Sequence, residues 1–102
     1  KYKLAFRGID FVEILECPKN CIENNWLITL RIKGNNIDEI KGFRDELLDI
    51  ANSKGLLLRP AWQLLNSLNF YKNMPSSSTT VSNNEVYRLI NLPSSPNLET
   101  IY

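Results

Sequence analysis

The stretch Arg88-Leu-Ile-Asn-Leu-Pro-Ser-Ser-Pro96 decides how this chain is read, because an apolar-rich run meets two prolines separated by two serines. Proline lacks an N–H and disfavours helical geometry in the residue before it, so Leu92 must leave any helix in an extended conformation. Just upstream, Ser82 and Glu85 have capping-box spacing, and Val81 and Val86 occupy the positions of a hydrophobic staple. With Val86, Leu89 and Ile90 as its apolar stripe, this pattern predicts a helix that starts at Ser82 and is ended by Pro93.

Outward from that stretch, Met74 to Thr80 (MPSSSTT) has loop composition, and Trp62 to Tyr71 has room for one helical turn. Leu56-Leu-Leu-Arg59 reads as a short buried strand closed by Pro60. Ile37, Ile40, Phe43, Leu47, Ile50 and Ala51 fall at steps of three and four, the signature of one helical face. Asn36 with Glu39 caps that helix at its start and Gly55 stops it. The glycine inside it, Gly42, costs about 1 kcal/mol relative to alanine. Trp26 to Lys33 and Phe11 to Glu16 are β-branched and aromatic runs that read as strands, ended by Gly34 and Pro18. Lys1 to Arg7 reads as the last turns of a helix stopping at Gly8; its lack of an N-cap leads us to expect a preceding segment.

The expected fold is therefore α/β, a single domain over residues 1–102, with a small three-stranded sheet and helices packed on one face. If the strands flanking the long helix are parallel, their crossover is right-handed; strand directions are not set by the sequence. Twelve Lys and Arg against 11 Asp and Glu leave a net charge of +1, too little for counterion-driven binding of nucleic acid. No apolar run approaches the roughly 20 residues of a membrane span, and the first ten residues lack a secretory pattern, which points to the cytoplasm.

The absence of histidine removes Ser-His, Cys-His and His-metal arrangements. Cys17 and Cys21 are separated by three residues and have no further Cys or His to complete a zinc site, so they read as free thiols. The acidic residues of the long helix, Glu39, Asp45, Glu46 and Asp49, alternate with Lys41 and Arg44 as on a solvated face. Candidate binding residues gather instead in Arg59 to Pro75 (RPAWQLLNSLNFYKNMP). Trp62 and Tyr71 would wall a pocket for an aromatic or sugar ligand, with Arg59 as an anion clamp. The plainer alternative, favoured by composition, is that Trp62, Leu65, Leu68 and Phe70 fill the edge of the core; Trp26 poses the same choice.

The order RPAWQLLNSLNFYKNMP, a linker, then VSNNEVYRLINLPSSP resembles the C-terminal end of the DegT/DnrJ/StrS-type nucleotide-sugar aminotransferases. WLITLRI, the helix after it and GLLLRPAW also fall in the order shown by that family, so the resemblance covers almost the whole chain. It implies the small C-terminal domain of a fold type I (aspartate-aminotransferase-fold) enzyme that uses pyridoxal phosphate. Such enzymes move an amino group from glutamate to a keto group of a nucleotide-linked deoxysugar, and the parent enzyme is expected to be a homodimer. The lysine that carries the cofactor lies in the large domain, which would precede Lys1. The resemblance therefore implies no catalytic residue, no bound cofactor and no activity for these 102 residues alone, and substrate contacts from Arg59, Trp62, Asn66 and Tyr71. Asn66 stands where many members carry histidine and Asn69 where proline is usual, so no histidine role carries over. The alternative from a different class is a free-standing small α/β ligand-binding or regulatory module.

Overall fold

Residues 1–95 are described in the computed structural model of the chain; Pro96, the end of the RLINLPSSP stretch, lies outside them. Strands β1 (Val12–Ile14), β2 (Ile28–Ile32), β3 (Arg59–Pro60) and β4 (Leu89–Leu92) form one sheet in the order β1-β2-β4-β3, every neighbouring pair antiparallel. Helices α1 (Tyr2–Ala5), α2 (Ile37–Ser53) and α3 (Thr80–Glu85) and a 3-10 turn at Leu65–Ser67 complete the elements. The fold is mixed α/β as the sequence implies, but the sheet has four strands where three are expected.

The fourth strand comes from the stretch that reads as a helix. α3 ends at Glu85, residues 86–88 turn, and Leu89–Leu92 becomes a central strand, paired with β2 on one side and β3 on the other. Val86, Leu89 and Ile90 fit a helical stripe, but Leu89 to Leu92 also has a period of two, and its burial alternates accordingly. Hydrogen bonding to two neighbours buries Ile90 completely and Leu92 almost so. A solvent-facing helical turn cannot match that burial, so tertiary pairing overrides the local signal. The expected capping box is also absent. The Glu85 carboxylate turns away from Ser82 to bind Arg31 as a two-pronged fork, at 2.6 and 2.8 Å, and charge-assisted pairs of this kind outweigh a cap.

Two other strands are shorter or shifted. β3 comprises only Arg59–Pro60, and Leu57, expected to be buried, is 64% exposed. Pro60 is tolerated because β3 is an edge strand. β2 and β3 are each antiparallel to β4, which lies between them, so they run parallel to each other and α2 makes the crossover.

The long helix forms where expected. The Asn36 side chain accepts from the N–H groups of Asp38 and Glu39 and donates to the Glu39 carboxylate. Gly55, at φ +82°, takes the left-handed conformation that ends it. Its buried side packs Ile40, with Leu47 and Leu48, against Val12, Leu30, Ile32, Ile90 and Leu92. Tyr2 and Phe6 from and beside α1 join the same cluster, so both helices cover one face. Phe43 and Ile50, part of the sequence stripe, sit at its margin, and Phe43 meets Phe11 edge to face at 5.2 Å.

The register places the other face of the sheet in mostly polar rows. Glu13, Arg31 and Leu89 stand abreast in one, and Thr29, Asn91 and Arg59 in the next. Arg31 holds Glu85 and also donates to Glu13 at 3.1 Å, and Thr29 donates to Asn91 at 3.2 Å. The end of β4 is tied down by two bonds. The Tyr2 hydroxyl donates to the Pro93 carbonyl, and Ser94 Oγ donates to the Trp26 carbonyl at 2.7 Å. Pro93 and Ser94 thus end a strand rather than a helix. No helix among the described residues is long and apolar enough to cross a membrane.

Candidate functional site

From the edge strand β3 the chain leaves the sheet as an arm, residues 61–79, before re-entering at α3. Its shape comes from consecutive turns, closed by backbone bonds from Ser67 to Leu64, Leu68 to Leu65, Tyr71 to Leu68 and Met74 to Tyr71. Local turns satisfy the backbone but bury little, and the side chains show it. Trp62 is 79% exposed, Leu65 69%, Phe70 90% and Met74 60%. The core-edge reading of Trp62, Leu65 and Phe70 is therefore corrected; of that group only Leu68 is half-buried. Trp26 is likewise exposed.

The four candidate residues have separate positions. Arg59 sits on the polar sheet face opposite Asn91, exposed, its side chain without a hydrogen bond or ion pair among the described residues. Trp62 stands at the start of the arm, and Tyr71 is about half exposed further along it. Asn66 works within the fold: its Nδ2 donates to Thr79 Oγ1 at 3.3 Å, pinning the 3-10 turn to the start of α3. Thr79 accepts a second bond from Asn83 at 3.2 Å. Among the described residues no hydrogen bond, ion pair or ring contact joins any two of Arg59, Trp62, Asn66 and Tyr71.

Beside the base of the arm lies a cleft of about 480 Å³, bounded by α2, the segment after β3 and α3. Arg44, Gln63, Leu64, Asn83, Val86 and Tyr87 are among its walls, whereas none of the four candidates lines it. Arg44 and Tyr87 escape the sequence reading because each resembles a surface residue of a helix. Arg44, four residues after Ile40 and three before Leu47, belongs on the margin of the apolar stripe, and that spacing is the signal for its burial. Its side chain is only 16% exposed and its guanidinium carbon lies 5.4 Å from the Tyr87 ring centroid. Lys41 Nζ lies 4.1 Å from the same ring, so two cations flank one aromatic.

The strongest electrostatic unit is on the sheet face. Bonding to Arg31 holds the Glu85 carboxyl below the usual carboxylate range, against a smaller opposing effect of burial. The Arg31 guanidinium is in turn pushed up by Glu85. Both side chains are spent on each other, so this pair serves packing and has no free acid or base to offer. Among the described residues no group of three or more His, Cys, Asp or Glu is placed to hold a metal ion.

Pyridoxal phosphate requires a lysine for its imine, a partner for its ring nitrogen and donors for its phosphate. Among the described residues, the cleft lining contains neither lysine nor carboxylate and one arginine. These residues do not fit the cofactor, and no step through it follows from them. No protein-family model matches the chain, and no curated protein matches it.

Proposed function

We propose that the chain serves as the small C-terminal domain of a cytoplasmic, homodimeric, pyridoxal-phosphate-dependent aminotransferase. The enzyme would transfer the amino group of glutamate to a keto group of a nucleotide-linked deoxysugar. The resemblance of the Arg59–Pro75 and Val81–Pro96 segments suggests this reading. The observation that carries it is the arm, whose Trp62, Leu65, Phe70 and Met74 are exposed on a segment with little packing of its own. Large apolar groups left exposed along one segment support a reading in which that segment is covered by a partner surface. In this reading the large cofactor-bearing domain covers them, and the arm forms the side of the cleft facing the nucleotide sugar. Arg59 would meet an anionic group of the substrate there, and Trp62 and Tyr71 would lie against its rings. The hydrogen bond from Asn66 to Thr79 supports a positioning role for Asn66.

The test is the protein encoded by the complete reading frame. It is expected to carry one pyridoxal phosphate per subunit, to lose its visible absorbance on addition of glutamate, and to recover it with a keto-sugar nucleotide. A complete frame without a cofactor-binding lysine domain, or a full-length protein that binds no cofactor, overturns the reading. The isolated 102-residue chain is expected to show no transaminase activity and no cofactor absorbance.

A further inference from the structure

The cleft beside the arm is independent of that reading. Its volume of about 480 Å³ lies within the roughly 300–1,000 Å³ of small-molecule sites. Among the described residues, Arg44 is the only charged one in its lining. Nε and Nη2 of Arg44 both point at one oxygen of Asp45, at 2.8 and 2.7 Å, which leaves Nη1 without a partner among the described residues. The Gln63 amide, also in the lining, is without a partner among the described residues. Asn83 spends one N–H on Thr79 and keeps its other hydrogen-bonding positions. Leu64 and Val86 supply apolar wall between these groups.

We propose that this cleft binds a small organic monocarboxylate, its carboxylate on Arg44 and the Gln63 and Asn83 amides, its apolar body against Leu64 and Val86. A guanidinium presents N–H groups in the plane a carboxylate needs, and its charge here is partly offset by Asp45. One such group suits a monoanion; a phosphate dianion calls for more positive charge than the lining holds. The apolar wall favours an anion with a hydrocarbon body over an inorganic one.

The test is a titration of the isotope-labelled 102-residue chain, followed by its backbone amide resonances, with benzoate, benzamide and inorganic phosphate in separate arms. Benzoate is expected to shift the amides of Arg44, Leu64, Asn83 and Tyr87 in a saturable way, and to bind about tenfold more tightly than benzamide. Arg44→Gln is expected to remove that tenfold preference while the remaining spectrum shows a folded protein. Gln63→Leu, on the exposed arm, is expected to weaken benzoate about threefold and guards against loss of folding in the first variant. Equal binding of benzoate and benzamide, saturable shifts confined to other residues, stronger binding of phosphate, or unchanged benzoate affinity in Gln63→Leu overturns the proposal.

Discussion

The sheet core and the arm between β3 and α3 use the same kinds of residue to opposite effect. In the core, Leu30 and Ile90 face each other across β2 and β4 and are essentially inaccessible. In the arm, Trp62 and Phe70 are larger and remain 79% and 90% exposed. Burial depends on what a residue's backbone is paired with. A strand between two others has its side chains held against a helix, whereas a chain of turns has only its neighbours in sequence. The contrast separates residues that account for the fold from residues that the fold leaves unexplained, and the latter are where function is to be sought.

Substitutions should divide along that line. Ile90→Ala, which opens a cavity under α2, is expected to cost about 3 kcal/mol in urea unfolding. A loss below about 1 kcal/mol would mean that β4 is not a central strand. Glu85→Gln comes next, at about 1–2 kcal/mol, because it leaves a partly buried Arg31 with Glu13 as its one anionic partner among the described residues. Removing the Asn36 cap as Asn36→Ala is expected to cost about 1 kcal/mol. Trp62→Ala should change stability by less than about 0.5 kcal/mol, since an exposed side chain leaves no cavity. In the full-length enzyme proposed above, the same change should raise the KM for the nucleotide sugar. An arm substitution as costly to stability as Ile90→Ala would erase the distinction.

Acid provides a finer comparison. The Glu85 carboxyl is lower in the folded than in the unfolded chain, so its contribution is present above the unfolded value, about 4.3, and is lost as pH falls through the folded one. Glu16 is lowered in the same direction by Lys3, but that pair is open to solvent. Stability measured below pH 5 in high salt should therefore keep the dependence due to Glu85 and lose that due to Glu16. Glu85→Gln should flatten the remaining slope.

How far the sequence can be read follows from the range of the forces involved. The α2 helix, its Asn36 cap and its Gly55 stop are legible because every signal lies within a few residues of its effect. Both β1 and β2 are found, each trimmed by one or more residues at its ends. The helix expected from Ser82 to Leu92 forms only as Thr80–Glu85, for the converse reason: its capping glutamate finds Arg31, 54 residues away, and its expected last turn finds β2. Only the irregular, aromatic-rich character of the segment after β3 was legible. Arg59 to Tyr71 covers the first part of the arm, but Arg44, Asn83 and Tyr87, which wall the neighbouring cleft, reach it from other elements.

By itself the sequence determined an α/β chain with one long capped helix, two strands before it, and an aromatic-rich segment after it. Those features rest on periodicity, capping and turn chemistry, which act between near neighbours. Only the tertiary structure decided that Leu89 to Leu92 is a strand at the centre of the sheet, that Glu85 belongs to Arg31, and that the arm's aromatics stay outside the core. Each of these is a competition between a local preference and a distant partner, and the partner that buries more apolar surface or completes a charged pair prevails.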